Sequence, residues 1–268
     1  MTERPDSARA SEWDRHATQW IADRPQQLWR RHSDAVNIAL IEQWLPAGPM
    51  GRILKTDLFD EAVSDGICGA IADLARVVVG LDVSQAILVA ASRRNRDIHV
   101  AGTDVRCLPF ESASFDAIVS ISTLDHFDST EDVRTALSEL FRVLVPGGVL
   151  VLTLDNLANP VVGLRNSLPY RVTHRLGLVP YPVGRTFRPD IAEDLVRQTG
   201  FEVTDRSAVM HAPRVLAIPV MNLLSPKADG PFLRLLSRMA MSFERLRPLR
   251  TKFLTGHFVA IRAAKPVG

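Results

Sequence analysis

From residue 51 to 155 the chain alternates short apolar runs with amphipathic stretches, and this rhythm limits the fold more than any other feature. "RILKTDLF" (52–59), "RVVVGLDVS" (76–84), "IHVAGTDV" (98–105), "FDAIVSIST" (115–123) and "VLVLTLD" (149–155) read as strands. Between them, "GICGAIADLA" (66–75), "SQAILVAASRR" (84–94) and "DSTEDVRTALSELFRVL" (128–144) read as helices. Ser84 is placed to cap the second helix, and Ser129 or Thr130 the third. Glu131 and Asp132 sit at the positive end of that third helix, whose apolar face is Leu137, Leu140, Phe141 and Leu144. A run such as "VVVGL" has no polar alternation, so both faces of its strand are covered. Strands alternating with helices imply a parallel sheet with helices on both sides. On such sheets ligands bind beyond the carboxyl ends of the strands, where strand order reverses. The residues that follow each strand are therefore the ones to read for chemistry.

The flanks extend this core. Residues 11–45 read as helical, and Val36, Ile38, Leu40, Ile41, Trp44 and Leu45 form a broad apolar face. Ser33 or Asp34 is the expected cap of that last stretch, and Pro46 with Gly48 ends it. After Asp155 the chain is rich in Pro, Asn and Gly, as in a loop with short helical pieces. "RPDIAEDLVRQTGFEVTDRSAV" (188–209) reads as helix, glycine turn and strand, and "TGHFVAIRAAKP" (255–266) as a final strand. The expected organisation is a helical lid at 1–48, a central domain at 49–206 plus 257–268, and a helical cap inserted at 207–256. That insertion holds eight Lys and Arg against Asp229 and Glu244. Within it, Phe232, Leu236, Met239, Phe243 and Leu246 are expected on one helical face. Two roles suit the segment besides plain docking on the domain: a cap over an apolar or anionic substrate, and peripheral contact with a membrane surface.

Bulk properties exclude several classes. Thirty-two Lys and Arg against 30 Asp and Glu leave a formal charge of +2, which gives nucleic-acid binding no support. Cys68 and Cys107 have no metal-ligand spacing and read as two buried reduced thiols of a cytoplasmic protein. "MTERPDSARASEWDR" has no apolar core and is not a secretory leader. "VLAIPVMNLL" (215–224) is the nearest approach to a membrane span, and it is short and broken by Pro219.

At the strand ends, Asp82 closes "VVVGLD", where a carboxylate can accept hydrogen bonds from both hydroxyls of a ribose. The plainer role is an acid at a helix N-terminus. Asp104, after the third strand, can accept from the amine of an adenine, with Val105 and Leu108 offering apolar faces to the ring. The plainer role is a turn aspartate. "STLDHF" after the fourth strand supplies Asp125 and His126, and His126 is a candidate base for a hydroxyl or an acidic carbon.

Taken together, "VVVGLDVSQAILVAA", "GTDVRCLPFESASFDAIVSISTLDHF" and "ELFRVLVPGGVLVLTLDN", in that order and spacing, resemble the class I S-adenosylmethionine-dependent methyltransferases of the small-molecule type. The resemblance covers residues 30–155, and extends to 190–206 and 257–263. It implies an α/β, Rossmann-like, seven-stranded and mostly parallel sheet with helices on both faces and an antiparallel last strand. It implies S-adenosylmethionine as cofactor, with Asp82 at the ribose, Asp104 and Val105 at the adenine, and Ser120, Ile121 and Ser122 below the methionine part.

The first strand departs from the family pattern, which wants an acid and then glycines. Lys55 stands in the acid position and Asp57 near the first glycine. The site is then either dead, shifted in register so that Asp57 or Glu61 replaces the acid and Gly66 opens the helix, or built for another cofactor. An acid-rich "TDLFDEA" repels phosphate and attracts the ammonium of S-adenosylmethionine. Thr56, Asp57 and Glu61 in this loop, with Val83 beside Asp82, complete the expected cofactor contacts. A nicotinamide-dependent oxidoreductase is the weaker alternative, because Gly-x-Gly-x-x-Gly is missing. A non-catalytic binding protein of the same fold is the other. Tyr170, His174, Tyr181 and Arg185, in the loop after the fifth strand, are expected on the substrate wall, and His32 could reach the cofactor from the lid. The expected acceptor is a small or lipid-like metabolite methylated on oxygen or carbon.

Overall fold

The computed structural model describes residues 7–175, 183–224 and 230–268. The chain begins with helices α1 (Ser7–Asp23) and α2 (Gln27–Trp44). Strand β1 (Met50–Lys55) leads through two single-turn helices, α3 (Phe59–Val63) and α4 (Cys68–Ala72), to β2 (Ala75–Asp82). Then come α5 (Gln85–Arg94), β3 (Ile98–Gly102), β4 (Phe115–Ile121), a 3₁₀ turn (Leu124–His126), α6 (Thr130–Val143) and β5 (Leu144–Asp155). Helices α7 (Pro160–Ser167), α8 (Tyr170–Arg175) and α9 (Pro189–Gln198) precede β6 (Glu202–Val209). Helix α10 (Arg214–Leu224), α11 (Gly230–Ser242), a 3₁₀ turn (Phe243–Leu246) and α12 (Lys252–Thr255) separate β6 from β7 (Phe258–Ala264).

The seven strands lie in the order β3-β2-β1-β4-β5-β7-β6. Strands β1 to β5 pair in parallel, and β7 runs antiparallel to both β5 and β6. Strand order reverses between β1 and β4, so the crevice beyond those two strands is where a ligand belongs. Side chains alternate across the sheet. Ile53, Ala117, Val119, Val149 and Val151 face a core shared with α2 through Trp29, Val36, Leu40 and Ile41. Leu54, Ile118, Leu150, Leu152 and Leu154 face a second core closed by α6 and α9 through Leu137, Leu140, Leu195 and Val196.

Local chemistry explains the boundaries. Ser84 accepts from the Ile87 amide at 3.3 Å and Ser129 from the Asp132 amide at 3.0 Å, so both expected caps form. Helix α2 starts earlier than Ser33 or Asp34, which therefore sit inside it and cap nothing. Asp34 instead accepts from the Gly66 amide at 3.2 Å and ties α2 to the loop after β1. On α6 the buried face is Val133, Ala136, Leu137, Leu140 and Val143. Of the two thiols Cys68 is buried, but Cys107 is exposed, contrary to expectation, because it lies in the turn that follows β3. Among the described residues no helix is long and apolar enough to cross a membrane.

Helices α10 and α11 pack against α2. The buried side of α11 is Ala240 with half-buried Leu233 and Leu236. Phe232, Met239 and Phe243, expected on one face with Leu236, point mostly to solvent at 40%, 57% and 41% exposure. The face is turned because α2 selects the Leu233–Leu236–Ala240 side.

Candidate active site

A cleft of about 190 Å³ opens beyond β1, β2, β3 and β4, at the reversal of strand order. Thr56, Asp57, Asp82, Val83, Asp104, Val105, Ile121, Ser122 and His126 all line it. The sheet register makes this convergence: Lys55 pairs with Gly80 and Val119, and Asp82 with Gly102, so the strand ends stop at one level.

Each carboxylate has a distinct state. Asp82 accepts from the Ser84 amide at 2.8 Å and the Leu58 amide at 3.2 Å. A carboxylate has about four lone-pair sites, so capacity for two hydroxyls remains. Burial and the nearby Asp57 push Asp82 up to about 7. Asp104 is gripped by Arg106, whose Nη2 lies 2.7 Å from Oδ2 and whose Nε spans both oxygens. Arg106 also binds Asp132 at 2.6 Å and stacks 4.9 Å from the Phe127 ring. An adenine amine at Asp104 would share that carboxylate with a guanidinium.

The loop after β1 is rebuilt rather than lost. The Lys55 ammonium donates to the Glu61 carboxylate at 2.8 Å and to the Asp57 carbonyl. Glu61 also accepts from the amides of Ile67 at 2.9 Å and Cys68 at 3.2 Å. Its side chain is fully buried and presents nothing to the cleft. Gly66 has φ +66°, and a Cβ there would meet Glu61 Oε1 at 2.5 Å. This glycine makes room for the carboxylate rather than for a ligand. Leu58 fills the space over Gly80, where a Cβ would sit 2.5 Å from a Leu58 methyl. Only Asp57 of the two candidate replacement acids faces the cleft. Burial pushes its carboxyl up, against the pull of Lys55.

Behind the cleft, Thr56 donates to Ser120 at 3.0 Å and meets the Thr123 hydroxyl at 2.8 Å. Ser120 is buried and supports the floor without lining it. Ser122 adopts φ +48°, held by amide donation to Thr153 Oγ1 at 3.0 Å and hydroxyl donation to Asp125 at 3.0 Å. Asp125 also accepts from the Asp155 amide at 3.1 Å, and burial raises it to about 6. It orients the Ser122 turn and does not line the cleft. His126 does, with its ring set edge-on to Trp13 at 5.0 Å. Gly184 presses on this turn, since a Cβ would lie 2.5 Å from the His126 carbonyl carbon.

Of the residues expected on the substrate wall, Tyr170 and Arg185 do not line this cleft. Tyr170 and Arg185 line a second cleft of about 730 Å³, with Arg134, Arg165 and Arg188. The loop after β5 folds outward into α7 and α8 and so leaves the first cleft. His174 lies in α8, and Tyr181 falls outside the described residues. His32 is buried against Trp29 at 5.3 Å and does not line the cleft, and burial lowers it to about 4.

The first cleft is walled instead by α1, α2 and the start of the insertion. Arg30, Ser33 and Asn37 line the cleft from α2, with Met210, Arg214 and Phe258 opposite. Arg30 pairs with Asp60 and lies between the rings of Trp20, at 4.7 Å, and Phe59, at 5.0 Å. Positions 30, 33 and 37 share one helical face, a polar stripe visible in "RRHSDAVN" once the helix start is known.

Comparison with known proteins agrees with this geometry. Residues 64–152 match a family described as methyltransferase domain. A Mycolicibacterium smegmatis protein named "Probable S-adenosylmethionine-dependent methyltransferase" is 31% identical over 60% of this chain and 57% of its own length. A malonyl-[acyl-carrier protein] O-methyltransferase of Enterobacter lignolyticus is 33% identical over 47% of this chain and 46% of its own. The chain thus spans about half the length of these relatives. The crystal structure of an S-adenosylmethionine-dependent methyltransferase from Methanosarcina mazei shares the fold, with a TM-score of 0.58 and 15% identity over 85% of this chain and 98% of that one. With the sheet order and the cleft at its switch point, these matches show that residues 64–152 are similar to a methyltransferase domain and that the chain resembles S-adenosylmethionine-dependent methyltransferases.

Proposed function

We propose that the protein transfers a methyl group from S-adenosylmethionine to a small or lipid-like metabolite, on oxygen or carbon. The observation that carries this is the meeting of Asp82, Val83, Asp104 and Val105 in one cleft at the strand-order reversal. The donor set suits the cofactor: Asp82 has acceptor capacity for a ribose, and Val83, Val105 and Ile87 offer apolar surface to an adenine. Asp57 would face the ammonium of the methionine part, and Arg30 its carboxylate. S-adenosylmethionine supplies an electrophilic methyl on a sulfonium, so the chain's residues need only bind, orient and exclude water. His126 lines the cleft and is the candidate to accept an acceptor proton. The O-methyl acceptor of the Enterobacter relative supports oxygen as the methylated atom.

Isothermal titration with S-adenosylmethionine and its demethylated product tests the reading, and absence of heat with folded protein would overturn it. A second reading, a non-catalytic binding protein, is favoured by the buried Lys55–Glu61 pair in place of the acid and glycines. It predicts no methyl transfer to any acceptor panel with radiolabelled cofactor.

A further inference from the structure

Helices α10 and α11 expose more apolar surface than their packing on α2 needs. Leu216, Val220 and Leu223 on α10 are 67%, 49% and 69% exposed. They stand at i, i+4 and i+7, one stripe of a helix. A second exposed stripe runs through Phe232, Leu235 and Met239 on α11 and Phe243 at the start of the following 3₁₀ turn. Contiguous apolar stripes of this kind on an exposed face mark an interaction surface.

The charged residues on the two helices themselves are of one sign. Arg234 and Arg238, four residues apart and both exposed, flank the α11 stripe, and Arg245 follows in the next turn. Neither 214–224 nor 230–242 contains an Asp or a Glu. An aromatic and aliphatic stripe edged by arginine is the pattern of a helix that lies in a headgroup region, with guanidinium groups reaching the phosphates. Self-association through these stripes would bring arginine against arginine with no acid on either helix to offset them.

We infer that α10 and α11 form a docking surface for an anionic lipid bilayer. Arg214 begins α10 and lines the cleft, as does Met210 four residues earlier. The docked surface therefore adjoins the cleft mouth, and an acceptor dissolved in the bilayer would enter without crossing bulk water. That last consequence rests on the methyltransferase reading, but the docking does not.

The experiment is co-sedimentation of the full chain with sucrose-loaded vesicles, either phosphatidylcholine alone or phosphatidylcholine mixed with phosphatidylglycerol. The wild type should pellet with the mixed vesicles, less so as salt rises, and hardly with the neutral ones. Arg234→Gln with Arg238→Gln should weaken the partition about thirtyfold, from about 1 kcal/mol per basic residue at an anionic surface. Leu223→Ser with Met239→Ser should weaken it at all salt concentrations, and both pairs of side chains are exposed, so circular dichroism should be unchanged. No pelleting of the wild type with phosphatidylglycerol would overturn the inference. So would equal pelleting of all variants, or sedimentation velocity showing a dimer that Leu223→Ser with Met239→Ser dissolves. Cofactor titration is read separately: vesicle binding without cofactor binding would sink the proposed activity and leave the docking surface standing.

Discussion

Replacing Glu61 by Gln tests whether the loop after β1 is anchored by charge. The substitution keeps the side chain's shape and one acceptor oxygen for the amides of Ile67 and Cys68. It removes the negative partner of Lys55, which lies 2.8 Å away in a site where both side chains are nearly inaccessible. At an effective dielectric of about 20 the gross attraction at that distance is about 6 kcal/mol. Desolvation cancels much of this in the intact pair, but not when one ion is left alone. Asp57 is the next carboxylate, and at 3.9 Å it compensates poorly. Glu61→Gln should therefore cost about 3–5 kcal/mol, which for a chain of this size lowers Tm by roughly 10 °C. Lys55→Met alone should also destabilise, by stranding the carboxylate. The double variant Lys55→Met with Glu61→Gln should recover most of the loss, giving a coupling of at least about 2 kcal/mol. Urea unfolding followed by fluorescence of Trp29 and Trp44 measures all four proteins. The pH dependence has a fixed sign. Burial pushes Glu61 up, but Lys55 and the amides outweigh it and hold the carboxyl below its ordinary value of 4.5. The stabilisation is thus present above that value and lost as pH falls below it. A loss under about 1 kcal/mol for Glu61→Gln, or simple additivity in the double variant, would refute the anchoring role.

Further outcomes follow from the same geometry. Asp82→Ala should weaken binding of S-adenosylmethionine by about 1–3 kcal/mol in calorimetry. Asp57→Asn should weaken S-adenosylmethionine more than adenosine, which lacks the ammonium, and equal losses would assign Asp57 to the fold alone. Asp34, pushed up to about 7 by burial and then by Asp60 and Glu61, opposes folding once ionised. Its stabilisation is full below the unfolded value of 3.8 and lost as pH rises through about 7. Asp34→Asn should therefore raise Tm more at about pH 8 than at about pH 5 in differential scanning calorimetry. Gly184→Ala must displace its segment from the Leu124–His126 turn, so it should lower both Tm and methyl transfer, and an unchanged Tm would show that the turn yields.

The sheet was legible because its signal is local: apolar runs of strand length punctuated by capped helices. Ser84 and Ser129 cap where their hydroxyls suggest. The acids after β2 and β3 enter one cleft because parallel strands end at one level. The loop after β1 was not legible in the same way. Lys55, Glu61 and Gly66 form a unit through contacts six and five residues apart with no standard motif, and two single-turn helices leave no periodicity. Which segments line the cleft was not legible for a different reason: it depends on packing between distant parts of the chain, and here α2 and the start of the insertion line it while Tyr170 and Arg185 line the second cleft. The same packing turned α11, since a helix with apolar residues on both sides buries whichever one meets its neighbour.

The chain's beginning is clasped by its end. Helix α2 lies between the sheet and helices α10 and α11, and Arg262 in the last strand donates to the Trp44 carbonyl at 2.7 Å. During synthesis the N-terminal helices therefore emerge well before the segments that hold them. Asp14 waits for Ser84, Arg30 for Asp60, and the apolar face of α2 for residues more than 170 positions later. Such distant partners slow closure and leave apolar surface open to chaperones or to misassociation while translation continues. A polypeptide halted before α10 would carry most of the sheet and yet keep its first helices unsheathed.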